Sequence, residues 1–144
     1  MGTRSRIGVM HGDVCKSVYC HWDGYLEHNG QILQDHYDSS KANFLVALGD
    51  ISSLRKNVEI PEDVEHSFEK PAEGITTFYG RDRGEKGVDF AVDFTFADFL
   101  DRVDECDADY YYIMRDGTWY VGSPFKGDKL VPLAEALALT QEAA

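Results

Sequence analysis

Two pairs of short β-rich runs, each closed by a glycine-containing turn, most constrain how this chain can fold. Residues 7–10 and 14–22 flank His11-Gly12-Asp13, and residues 110–114 and 118–121 flank Arg115-Asp116-Gly117. Connections this short join strands antiparallel, because a parallel partner needs a long crossover. Two further strands are expected at 75–80 and 88–94, separated by the charged turn from Arg81 to Gly87. In the last of these, Val88, Phe90, Val92 and Phe94 alternate with Asp89, Ala91 and Asp93, so the apolar set should face the core.

Helical signals interrupt the strands. Thr95 opens a capping box with Asp98, and Phe96, Phe99, Leu100 and Val103 follow at i, i+3, i+4, i+7 spacing. Shorter helices are expected at 30–37, with Asn29 as N-cap, and at 41–48, stopped by Gly49. A terminal helix is expected at 132–142, with proline at its first position. The stretch 55–74 has two prolines and no periodicity, and 59–69 holds five acids without a Lys or Arg, so it reads as a long, solvated acidic loop. The chain is therefore expected to form one α+β domain over 1–144. Its sheet should be mainly antiparallel, with five or six strands built from hairpins and three or four helices packed mainly on one face. A doubly wound parallel sheet is disfavoured, since regular strand–helix alternation and a glycine-rich phosphate fingerprint are both missing.

Composition narrows the function. With 14 Lys+Arg against 26 Asp+Glu the formal charge is −12, so direct nucleic-acid binding and attraction to an anionic membrane surface are not expected. No apolar run approaches the roughly 18 to 20 residues of a membrane span, and no signal-peptide pattern opens the chain, so a cytoplasmic protein is expected. Cys15, Cys20 and Cys106 are odd in number and read as reduced thiols. Cys15, Cys20, His21 and His11 cluster in sequence, but the cysteine spacing is loose and the two thiols fall on opposite strand faces; no metal or cofactor is expected.

The sharpest constellation comes from strand alternation. If Ile7, Val9, Val18 and Cys20 face the core, then Arg6, Tyr19 and His21 share the opposite surface, with Arg4 at its margin. Arg81 and Arg83 join them if their turn folds over the same end. Guanidinium forks suit phosphate or carboxylate, and aromatic rings offer stacking platforms, so a small nucleotide-like anion is the expected ligand. The competing reading pairs these arginines with neighbouring acids such as Asp82 and Glu85. A small hydrolase would instead use His21 as general base, oriented by Asp23, although adjacent strand residues point to opposite faces. His36 reads as a packed core histidine, and His11, His28 and His66 as solvated.

Between 89 and 109, eight acids face one arginine, Arg102. Asp98, Asp101, Asp104 and Glu105 could form an acidic protein-binding face that imitates nucleic acid, or could simply confer solubility. Tyr110, Tyr111, Tyr112, Trp119 and Tyr120 place aromatics on both sides of the last hairpin, which makes a homodimer through an exposed sheet face conceivable.

Three segments carry a resemblance. Thr3-Arg4-Ser5-Arg6-Ile7-Gly8, Tyr19-Cys20-His21-Trp22-Asp23-Gly24-Tyr25 and Tyr79-Gly80-Arg81-Asp82-Arg83-Gly84-Glu85 together resemble a family of small uncharacterised proteins encoded by bacteriophages and prophages, over about the first 85 residues. The resemblance implies a phage accessory protein in the host-cell cytoplasm, with a possible counter-defence role; Tyr79, beside the Arg81 turn, is counted among the candidate ligand residues. It supplies no catalytic role.

Overall fold

A computed structural model describes residues 3–143. The N-terminal hairpin forms first in the chain: β1 (Ser5–His11) pairs antiparallel with β2 (Val14–Cys20), with Ile7 opposite Val18 and Arg6 opposite Tyr19. A single π-turn (Leu26–Gly30) leads into α1 (Gln31–His36) and then α2 (Ser39–Ala47). Next come β3 (Ile51–Ser53), β4 (Thr77–Phe78), β5 (Ala91–Asp93) and α3 (Phe96–Glu105). The C-terminal hairpin is β6 (Tyr110–Arg115) and β7 (Thr118–Gly122), followed by β8 (Val131–Pro132) and α4 (Leu133–Ala143). Asp116 and Gly117 both have positive φ, which matches the right-handed twist of the two strands they join.

The sheet runs β4-β3-β2-β1-β6-β7-β8, with β5 beside the first half of β2. Most pairings are antiparallel; β1–β6 and β2–β3 are parallel. One face carries Ile7, Val9, Val18, Tyr112 and Val121 against Leu33 of α1, Leu45 and Val46 of α2, and Leu133 and Leu137 of α4. The other face carries Cys15, Tyr111 and Ile113 against Phe99 and Val103 of α3. The α+β architecture is as expected, with three of the four helices on one face. Eight strands replace the expected five or six because β3 and β8, three and two residues long, are too short to show alternation.

Several local expectations need correction. Asn29 is not an N-cap: its buried amide donates to Ser5 Oγ, Cys20 Sγ and the Trp22 carbonyl, tying the π-turn to the sheet. His36 is exposed, while Tyr37 turns inward and donates to the Arg55 carbonyl at 2.6 Å. The faces of β5 are inverted, with Phe94 70% exposed and Asp93 buried. The cause is α3, which covers the Asp93 side and supplies Arg102, whose Nε and Nη2 each reach the carboxylate at 2.9 Å.

The segment 55–74 is not simply solvated. Val58 is in the core, Asn57 bridges Ile75 in parallel, and the His66 side chain is fully buried, where a solvated histidine was expected. His28 is half-buried, bonded to Asn29 at 2.8 Å. Of the hairpin aromatics, Tyr111, Tyr112 and Trp119 are buried, while Tyr110 and Tyr120 are half-buried. Tyr112 donates to the Gly24 carbonyl, Trp119 to the Tyr37 carbonyl and Tyr111 to Asp128, and Arg115 lies over Tyr120. No helix among the described residues is long and apolar enough to cross a membrane.

Candidate functional site

The alternation that buries Ile7 and Val18 places Arg6, Ser17, Tyr19 and His21 on the α3 face of the sheet. The Arg6 residue is only 6% exposed. Its Nε donates to Ser17 Oγ at 2.8 Å and its Nη2 to the Ser17 carbonyl at 3.3 Å. No carboxylate lies within ion-pair distance of Arg6 among the described residues. Asp50 acts on it from farther away: its Oδ1 accepts the Tyr19 N–H at 2.9 Å, and burial raises its carboxyl while that hydrogen bond and Arg6 oppose the rise.

Beside Arg6 stands an aromatic group. The Tyr19 hydroxyl is 2.7 Å from His21 Nδ1, and burial pushes the phenol up to about 12, with Arg4 opposing. The phenol thus keeps its proton, and with it as donor His21 holds its own proton on Nε2. His21 meets Trp22 edge-on at 4.7 Å. The Tyr79 phenol is also raised by burial, opposed by a hydrogen bond with Ser52. Asp23 makes no side-chain bond to His21 among the described residues, so the imidazole is oriented by Tyr19 instead.

The arginines divide. Arg4 reaches Asp107 at 3.6 Å, an exposed pair of little energetic weight. Arg83 stacks over Phe68 at 4.8 Å, Phe68 lies 5.7 Å from Tyr79, and Glu85 is 3.9 Å away, so Arg83 stays at the margin of the aromatic group. Arg81 does not join it. Its guanidinium lies over Phe78, a core residue of the opposite face, and donates to Asp82 and to the carbonyls of Val58 and Thr76. The expectation that Arg81 and Arg83 converge on Tyr19 and His21 therefore fails for Arg81, because Asp82 holds it in the loop.

Sequence reasoning missed Asp50 and Ser52. Neither carried a signal, since β3 lies far from β2 in sequence and only the folded sheet brings them together. On α3, Asp98, Asp101, Asp104 and Glu105 are all exposed, while Arg102 turns to Asp93. No group of three His, Cys, Asp or Glu among the described residues is placed to hold a metal ion. Cys15 and Cys20 fall in different cores on opposite faces of β2.

Fold and site together define an α+β domain with a buried guanidinium and a tyrosine–histidine group on one sheet face. Compared with models of protein families, with curated proteins and with solved structures, the chain matches none.

Proposed function

We propose that the protein acts by binding a small anionic, nucleotide-like ligand at Arg6, with Arg4, Tyr19, His21, Tyr79 and Arg83 around it. The observation that carries the reading is Arg6 itself. A guanidinium taken out of water costs several kcal/mol unless an anion compensates it; Ser17 is neutral, and Asp50 acts only from beyond ion-pair distance. Its fork has donor capacity beyond the two bonds to Ser17, which suits a phosphate or carboxylate oxygen. The neighbouring tyrosine rings and imidazole offer faces for a base. Resemblance to the phage family suggests the setting: an accessory protein that sequesters a host defence signal in the host cytoplasm.

Native mass spectrometry and titration calorimetry against cyclic and linear nucleotides test this. Arg6→Lys keeps the charge but loses the planar fork, and is expected to weaken binding at least about tenfold. Tyr19→Leu should weaken nucleotides but not inorganic phosphate. Absence of any bound nucleotide, together with no heat across the panel, removes the proposal.

A second reading is favoured by α3, where four exposed carboxylates share the helix with one arginine that faces elsewhere. Such a surface suits a basic host protein in place of DNA. Capture of that partner should fall steeply with salt and be lost in Asp101→Asn/Asp104→Asn/Glu105→Gln; a partner retained by this variant counts against it.

A further inference from the structure

A second concavity lies away from Arg6, beneath the connection from β7 to β8. It has a volume of about 230 Å³ and is lined by Leu26, Tyr110, Val121 and Ala136, with Lys126 and Lys129 also in its wall. Three larger clefts each include at least one carboxylate in their lining, but this one includes none. That is notable in a chain with 26 acids and 14 bases.

The two lysines are exposed and have no ion-pair partner among the described residues. Asp128, which lies between them in the chain, is directed instead to the Tyr111 hydroxyl at 3.0 Å. The turn is held by its own backbone: the Ser123 carbonyl accepts from Lys126 N–H at 3.0 Å and from Asp128 N–H at 3.2 Å. The cations are therefore presented on a closed turn and not on a loose loop. The half-buried Tyr110 ring stacks on Tyr112 with centroids 6.4 Å apart, and its hydroxyl makes no hydrogen bond among the described residues.

We infer that this pocket takes a small apolar carboxylic acid, a single ring or short chain, with its carboxylate against Lys126 and Lys129. An apolar cavity of roughly 150 Å³ accommodates benzene, so this volume matches one ring with a carboxylate and is too small to enclose a nucleotide. The apolar part takes Leu26, Ala136 and the Tyr110 ring out of water, and the ammonium groups choose the anion. The ligand and the residues differ from those of the Arg6 site, so the two readings stand or fall separately.

Amide chemical shifts of the folded protein, followed during titration with benzoate, hexanoate, benzyl alcohol and hexylamine, decide the matter. The two acids are expected to move the amides of Tyr110, Val121, Lys126 and Lys129, while the amine moves none. Lys126→Glu/Lys129→Glu alters only exposed side chains and should weaken benzoate at least about tenfold. Ala136→Leu, which fills the pocket, should abolish the shifts. Alcohol or amine binding as tight as the acid overturns the assignment, and so does an absence of shifts with either acid or shifts confined to Arg6 and Tyr19.

Discussion

Asp82 organises the part of the chain with the least regular structure, and removing its carboxylate is the most direct test of how that part is held. Its side chain is 2% exposed and receives the Phe78 N–H at 2.8 Å, Arg81 Nε at 2.9 Å and Nη2 at 3.2 Å, and His66 Nε2 at 3.3 Å. His66 Nδ1 accepts the Ala72 N–H at 2.9 Å, so the neutral ring carries its proton on Nε2 and donates it to Asp82. Asp82→Ala orphans two buried donors, at Phe78 and His66, each costing about 1–3 kcal/mol. Arg81 keeps the Val58 and Thr76 carbonyls and has a side chain 23% exposed, so water offsets part of its loss. The total expected is about 3–5 kcal/mol, the scale of a broken buried charge pair. Asp82→Asn retains one acceptor oxygen and should lose less. Urea unfolding by fluorescence measures both variants, with Asp101→Ala on the exposed face of α3 as a control expected within about 0.5 kcal/mol of the parent. Hydrogen exchange at Ala72 and Phe78 should accelerate in Asp82→Ala. A loss below about 1 kcal/mol, or unchanged protection at those amides, refutes the claim that the carboxylate clasps the segment.

Other perturbations follow from single contacts. Burial raises Asp50 above its ordinary 3.8, so the folded chain holds a proton there that the unfolded chain has released, and this group's contribution to stability falls as pH rises from 3.8 through the folded value. Asp50→Asn, which still accepts the Tyr19 N–H, should be more stable than the parent at neutral pH, with the gain vanishing on acidification; a pH-independent difference contradicts this. Burial pushes the Cys15 thiol up to about 12 and Cys20 up to about 11, so half-buried Cys106 should be alkylated first at pH near 8, with mass spectrometry of the folded protein as the check. Gly122→Ala would place its Cβ inside the Tyr111 ring, which is backed by Phe99 at 5.6 Å and tied to Asp128; a loss of about 1–3 kcal/mol is expected in thermal unfolding.

What could be read in advance followed how locally each element is determined. The α3 cap was legible because Thr95 Oγ and the Asp98 N–H lie three residues apart, and the bond forms at 3.1 Å. The two hairpins were legible because turn and strand are contiguous. The faces of β5 were not, because their burial is set by Arg102, nine residues away, and by which side α3 takes. The segment 55–74 looked solvated because its acids are visible in sequence, whereas its anchors, Asp82 and Thr76, come from beyond it. Arg81 was misplaced for the same reason: an arginine beside an aspartate can reach outward or fold back, and the Val58 and Thr76 carbonyls, which the sequence does not place, join Asp82 in turning it inward.

The candidate site has a geometric origin in the mismatch between one helix and a wide sheet. Seven strands lie abreast, and at about 4.8 Å each they span roughly 29 Å. On the Arg6 side α3 is the helix that covers them, and its ten residues run about 15 Å with a diameter of about 10 Å. It covers Cys15, Tyr111 and Ile113, over β2 and β6, and leaves Tyr19, His21, Ser52 and Tyr79 to be shielded by loops alone. Arg6 sits at the seam between these halves, close enough to Asp50 and Cys15 for its charge to act on both. At that seam the Arg6 residue is 6% exposed, and its fork keeps donors beyond the two bonds to Ser17. Lengthening α3 by a turn would close the seam and leave a guanidinium bonded only to Ser17, with Asp50 acting from beyond ion-pair distance. The short helix and the buried arginine are therefore one feature, and a leucine at position 6 would serve the fold better than arginine if no anion were bound there.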